Sequence, residues 1–318
     1  MANILNIGAL AIYKKNISGD YEYTYLYDLL DYLNEDGSIN IDNNINFGAS
    51  FDMIGDHLFV GCPYQSPLVD DENIWQNNKL GVVYVFDITD GTLIQTIIPD
   101  NTPGEFTFAG QTNYVTRSHN FGYSMAAGDD YIVIGAPGYS TNSGASILKK
   151  SGRAYVYKHN GSEYELVYTF APNTVIKGNR FGNYIDVDGD NVVIGSAPSA
   201  NASLAGYVKF YTMNTARTGI SVNVTISNTH VSTVASIKVN GDKVAIGTYY
   251  NDTIKIHKID STISSLIYSI RDDLTAGFGV GRDIEFDDTH VIAGCPTGYR
   301  KLGIVLRFTN LGQTYTLT

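Results

Sequence analysis

The chain has 318 residues, 43% of them apolar and 17% charged, so it can bury a sizeable core. A formal net charge of −11 and a pI near 4.9 disfavour binding to phosphate backbones or anionic membrane surfaces. Two cysteines do not make a disulfide scaffold, and no run approaches the roughly 18 apolar residues of a membrane-spanning helix.

The opening residues, MANILNIGALAIYKKN, have no basic n-region and no apolar h-region ending in a cleavage site, so no leader is expected there. Residues 8–30 instead read as two strands, GALAIYKKN and YEYTYLYDL. The only hint of helical spacing, YLYDLLDYL at 25–33, is short and Tyr-rich and is expected to be a strand leading into a loop.

From Phe47 a pattern begins and recurs. FGASFDMIGDHLFVGCP starts at Phe47, FGYSMAAGDDYIVIGAP at Phe121 and FGNYIDVDGDNVVIGSAP at Phe181. A degenerate copy starts at Thr233 and a last one, FGVGRDIEFDDTHVIAGCP, at Phe278. The two strands meet at a Gly-Asp-type turn, such as Gly55-Asp56, Gly128-Asp129, Gly189-Asp190 and Gly241-Asp242, where glycine supplies the positive φ of a two-residue hairpin. Two more strands follow every copy, for example GRAYVYKHN and YELVYTFAP after Phe121. Four antiparallel strands per repeat, with second strands that are almost continuously apolar, is the signature of β-propeller blades covered on both faces by their neighbours. The fold class expected is all-β: one propeller domain over 1–318 with five full repeats. The half repeat at 8–30 adds a reduced sixth blade between the first and fifth, or else joins a neighbouring subunit's sheet.

The Phe-Gly opening, the Gly-Ala-Pro close and the following G-x-x-Y-V-Y resemble the FG-GAP repeats of integrin-α-type β-propellers, in the calcium-poor form FG-x-S, Gly-Asp, V-I-G-A-P. The resemblance spans about 47–318 and is strongest in the repeats at Phe47, Phe121 and Phe181. It implies adhesion and contact with protein or glycan, in a family whose members are mostly not enzymes.

Integrin-type repeats often carry a calcium loop of alternating Asp residues. Only DVDGD, with Asp186, Asp188 and Asp190, approaches one here. The preferred reading is a tight hairpin whose carboxylates bond turn backbone, so neither metal nor cofactor is expected. No histidines form an H-x-H or H-x-x-x-H pair, and His57 and His290 follow equivalent turns. No nucleophile elbow, P-loop or dinucleotide fingerprint is present, and the acidic pairs Asp129-Asp130, Asp272-Asp273 and Asp287-Asp288 fall in turns or loops. Cys62 and Cys295 take the alanine place of Gly-Ala-Pro and should be small buried thiols. The N-x-[S/T] sequons at Asn16, Asn160, Asn201, Asn223 and Asn251 are read as chance in an Asn-rich chain.

One tryptophan, Trp75, lies in a long acidic insertion at 64–79. Connections of that length are uncommon unless functional, and tryptophan is enriched in binding hot spots, which makes Trp75 the contact candidate. The alternative buries Trp75 against its own blade. The connection at 101–120 should serve the same surface. The function expected is non-enzymatic. An acidic, Asn-, Ile- and Tyr-rich chain without a leader suggests a virus or phage particle component that contacts other virion proteins or a host receptor. The alternatives are an extracellular adhesion or glycan-binding propeller, and a propeller hydrolase or lyase.

Overall fold

The computed structural model describes residues 9–28, 46–65, 79–99, 107–108, 111–112, 118–143, 146–148, 150–172, 175–198, 206–226, 234–248, 253–271, 279–296, 303–310 and 315–317. Every regular element among them is a β-strand, and every strand pairing is antiparallel. A hairpin of β1 (Ala9–Lys15) and β2 (Tyr21–Asp28) comes first, as the two apolar runs of 8–30 lead one to expect. The first four-stranded sheet is β3 (Phe51–Ile54), β4 (His57–Cys62), β5 (Val82–Asp87) and β6 (Leu93–Ile97). A small hairpin follows, β7 (Thr107–Phe108) with β8 (Gln111–Thr112).

The second sheet comprises β9 (Met125–Ala127), β10 (Tyr131–Ala136), β13 (Arg153–His159) and β14 (Tyr164–Phe170). Between its middle strands stands a hairpin of β11 (Thr141–Ser143) and β12 (Ser146–Leu148). The third sheet is β15 (Phe181–Asp188), β16 (Asn191–Ser196), β17 (Val208–Met213) and β18 (Ile220–Ile226). The fourth is β19 (Val234–Asn240), β20 (Lys243–Thr248), β21 (Thr253–Asp260) and β22 (Ile263–Arg271). The fifth is β23 (Asp283–Phe286), β24 (His290–Cys295), β25 (Ile304–Asn310) and β26 (Tyr315–Leu317).

The sheets pack face to face in chain order, and the core lies between them. Phe59, Val83 and Val85 of the first sheet share one apolar cluster with Ile132, Ile134, Tyr155 and Tyr157 of the second. The same pattern joins the second to the third, the third to the fourth and the fourth to the fifth. Leu10 and Ile12 of the N-terminal hairpin pack on the near face of the first sheet, against the cluster of Phe47, Val60 and Tyr84. First strands lie beside first strands: β3 by β9, β9 by β15, β15 by β19 and β19 by β23.

A seam of glycines brings successive sheets together. A Cβ on Gly61, Gly135 or Gly247 would come within 3.0 Å of the carbonyl oxygen of Gly122, Gly182 or Gly281 in the next repeat. The serine of the Phe-Gly-x-Ser motif secures that carbonyl. Ser50, Ser124 and Ser236 each donate their hydroxyl, at 2.8 Å, to Gly122, Gly182 and Gly281 respectively. The third-to-fourth junction departs from this, because Tyr184 stands at the serine position and no glycine follows Val234.

Two details differ from the sequence reading. The expected start of the fifth repeat, Phe278, lies outside the described residues, as does Thr233. It is Val280-Gly281 that fills the Phe-Gly place: Val280 is buried and Gly281 takes φ +86°. The hairpin turn of the second repeat falls one residue later than expected. Gly128 N–H donates to the Tyr131 carbonyl, so the turn residues are Asp129-Asp130, whereas Gly55, Gly189 and Gly241 take φ of 55–58° in theirs. Asp129 stands as far from Phe121 as Gly55 does from Phe47, so the strand length is unchanged and the glycine itself stands one place early, outside the corner.

Candidate functional site

The three aspartates considered for calcium diverge. Asp186 Oδ2 accepts from the Val239 N–H at 2.7 Å and its other oxygen lies 3.4 Å from Lys238 Nζ. Asp188 Oδ2 accepts from the Gly241 N–H at 2.6 Å, while Asp190 pairs with Arg217. The first two alternate along β15, so both point at β19 of the next sheet and act as clamps across the junction. Asp52, at the same repeat position as Asp186, repeats the device between the first and second sheets, accepting from Ala127 N–H at 2.8 Å. Burial raises the Asp186 carboxyl to about 6, with Lys238 and the Val239 N–H pulling the other way. Arg217 bridges the second and third sheets by bonding Asp130 and Asp190, with its guanidinium 4.5 Å from the Tyr131 ring centroid.

The other sequence candidates are placed singly. His57 Nδ1 is 2.8 Å from the Tyr164 hydroxyl, and His290 sits beside Asp287 and Thr289 of its own turn. Cys62 and Cys295 are buried thiols outside any disulfide, and burial pushes the Cys62 thiol up. His257, which pattern reasoning passed over, is 4% exposed with neither ring nitrogen hydrogen-bonded. It occupies the strand position held by Phe86, Tyr157, Tyr211 and Phe308 in the other sheets, and burial lowers it to about 4. Trp75 lies outside the described residues.

The basic side chains do gather. A recess of about 230 Å³ is lined by Tyr64, Lys79, Asn120, Tyr123, Lys150 and Arg180, among others. It sits where connections of the first three repeats meet. Asn120 N–H donates to the Lys79 carbonyl at 3.3 Å, and Arg180 N–H to the Lys150 carbonyl at 2.9 Å, so backbone bonds hold the lining residues two by two. Asn120 and Arg180 reach the recess because each precedes a Phe-Gly in the left-handed region, at φ 56° and 55°. Asparagine tolerates that region, and Asn-Phe-Gly was the signal available in the sequence. Lys79 Nζ stands 5.5 Å from the Tyr64 ring centroid. Burial raises the Tyr64 hydroxyl, Tyr123 adds to this and Arg180 opposes it. Among the described residues, no carboxylate lines the recess and none of Lys79, Lys150 and Arg180 is in an ion pair. In a chain of net charge −11 this is a local reversal of sign that can hold an anionic group between aromatic walls. The insertion that carries Trp75 leaves the chain at Gln65 and returns at Lys79, on the rim of this recess, and the 101–120 connection returns beside it at Ser118 and Asn120.

No known family profile matches the chain, and no curated protein matches it. Among solved structures, one titled as the crystal structure of a mitotic checkpoint complex aligns over 100% of this chain and 74% of its own, with TM-score 0.55 and 12% identity. A putative 6-phosphogluconolactonase from Bacteroides uniformis aligns over 83% of this chain and 67% of its own, with TM-score 0.51 and 12% identity. At that identity the likeness concerns the fold alone.

Proposed function

We propose that the chain is a non-enzymatic β-propeller of FG-GAP type that attaches to a partner macromolecule through the end bearing the basic recess. Five four-stranded blades and a reduced sixth, β1–β2, make up this propeller. Face-to-face packing in chain order, with first strands side by side, supports the blade arrangement. The observation that carries the contact reading is the cluster of Lys79, Lys150 and Arg180 around Tyr64 and Tyr123, at the root of the insertion that holds Trp75. An aromatic contact residue beside cations that form no ion pair among the described residues suits a partner surface that presents carboxylate, sulfate or phosphate groups.

The setting we infer is a virus or phage particle, where the protein touches other virion proteins or a host receptor. A second reading, an extracellular propeller that binds an acidic glycan, is favoured by the size of the recess and its tyrosine walls. One set of variants tests both. Lys79→Glu with Arg180→Glu, and separately Trp75→Ala, should leave the thermal melt within about 2 °C of the parent while abolishing co-purification with assembled particles. Loss of binding to acidic glycans, with particle association intact, would favour the second reading. Unchanged behaviour in both assays would refute the contact surface.

A further inference from the structure

The fifth sheet breaks a rule that the other four keep. The residue paired across from the second-strand glycine is Val83, Ala154, Val208, Ile254 and Val305 in the five sheets. The first four are at most 1% exposed, because the next sheet covers them, whereas Val305 is 73% exposed. Two places before that glycine stand Phe59, Val133, Val193, Ala245 and Ile292. The first four are 0% exposed and Ile292 is 44% exposed. Around them opens a recess of about 550 Å³, whose lining includes Asp283, Gly294, Pro296, Gly303, Ile304 and Val305. These are the counterparts of Ser50, Gly61, Pro63, Gly81, Val82 and Val83, which in the first sheet receive Phe121-Gly122 of the following repeat. A Cβ on Gly294 would find nothing closer than Asp283 at 3.7 Å. The recess is an unfilled copy of the seam.

Two more vacancies match it. Among the described residues, β1 pairs only with β2, so its other edge is open where the second strand of a full sheet would lie. Gly48 also lacks its seam partner. A Cβ there would meet only the Ala9 carbonyl oxygen, at 3.8 Å, whereas one on Gly122 would meet Gly61 Cα at 3.1 Å. An inner hairpin, the first two strands of a repeat, would fill all three places at once. Among the described residues, the chain's own apolar–glycine turns are already placed. Phe121-Gly122 and Phe181-Gly182 lie on the first and second sheets, Val280-Gly281 on the fourth, and Phe47-Gly48 beside the N-terminal hairpin.

We propose that the recess at Gly294 is an acceptor slot for a β-hairpin of a second polypeptide. The hairpin's apolar–glycine turn enters beside Gly294, and its second strand adds to the free edge of β1. Backbone pairing gives such strand addition its affinity, and the slot selects glycine at the turn because the approach excludes a Cβ. Bringing β1 and the fifth sheet to adjacent places rests on the propeller reading above.

The probe is a synthetic peptide of residues 181–196, FGNYIDVDGDNVVIGS, carrying a fluorophore and a photo-crosslinker, offered to the full chain. Saturable one-to-one binding is expected, at least ten-fold weaker in Gly294→Val and in Val305→Asp and absent for a scrambled peptide. Cross-links should reach both β24–β25 and β1. Equal binding by the variants, or by the scrambled peptide, overturns the slot. Self-association of the free chain that Gly294→Val abolishes also overturns it, since a second copy would then be the occupant. Slot-dependent binding whose cross-links never reach β1 refutes the ring arrangement and leaves the slot assigned.

Discussion

Gly135→Ala and Gly294→Ala place the same methyl group at equivalent positions of the second and fifth sheets, and the structure gives them opposite outcomes. At Gly135 the new Cβ would fall within 3.0 Å of the Gly182 carbonyl oxygen and of Ser124 Oγ, where ordinary contact is 3.4–4 Å. Neither neighbour can yield freely. The carbonyl is backbone, and Ser124 Oγ holds it through a 2.8 Å hydrogen bond. Forcing a methyl into a packed junction costs about 1–3 kcal/mol, and losing the serine bond adds about 1 kcal/mol. The backbone entropy gained on replacing glycine returns about 0.5–1 kcal/mol. The net is a loss of about 1–3.5 kcal/mol, or roughly 2–14 °C in melting temperature at 2–4 °C per kcal/mol. At Gly294 the nearest atom to the methyl is 3.7 Å away, so only the entropy remains and the variant should be neutral or stabilised by up to about 1 kcal/mol. Urea titration of both variants beside the parent reads the difference directly. Equal costs at the two sites, or a Gly135→Ala change within about 0.5 kcal/mol of the parent, would refute the seam.

Three further outcomes are expected. His257→Phe removes a buried imidazole with no hydrogen-bond partner from an aromatic position, so it should stabilise by about 1–2 kcal/mol near neutral pH. Because His257 is lowered from 6.5 to about 4, the unfolded chain takes up its proton first as pH falls, and stability drops between about 6.5 and 4 by about 3 kcal/mol. Asp186, raised to about 6, works in the opposite sense over 6 to 3.8, so parent minus variant in a pH series of urea titrations isolates the histidine; a flat difference would contradict its burial. Arg217→Lys should not rescue Arg217→Ala, since one ammonium cannot bond Asp130 and Asp190 and cover Tyr131 together; both should cost about 2–3 kcal/mol by thermal melt, and a parent-like lysine variant would show the fork to be dispensable. Melts with excess EDTA and with added Ca²⁺ should superimpose, because Asp186, Asp188 and Asp190 face three different partners; a clear upward shift with Ca²⁺ would overturn that placement.

Much of the fold is legible in the sequence because its signals are local. Alternation, a glycine turn and a close at Gly-Ala-Pro mark each inner hairpin within about twenty residues, and β1–β2 is found by its likeness to Arg153–Phe170. What escapes is set by the neighbour across a junction. Asp186 and Asp188 look like a ligand run because the residues they serve, Val239 and Gly241, lie in another repeat. Lys79, Lys150 and Arg180 have no common spacing, so their meeting in one recess cannot be read from pattern. The last repeat carries the same apolar residues as the others, and exposure of Ile292 and Val305 depends on what lies beyond them. Phe278-Gly279 and Val280-Gly281 stand in succession in the sequence, and only the seam, which seats Gly281 against Gly247, distinguishes the pair that opens the repeat.

The central claim is that the five sheets cover one another in chain order, three of the four junctions through the glycine seam, and leave the fifth with its far face open. Thiol reactivity at equivalent positions tests it. Cys62 and Cys295 are buried and give a low background, so Val83→Cys and Val305→Cys can be compared with Ellman's reagent under native conditions. One equivalent should react within seconds to minutes in Val305→Cys, and none in Val83→Cys until denaturant is added. Protection of both thiols in the native protein would contradict the account, because the face of the fifth sheet would then be covered by the chain itself.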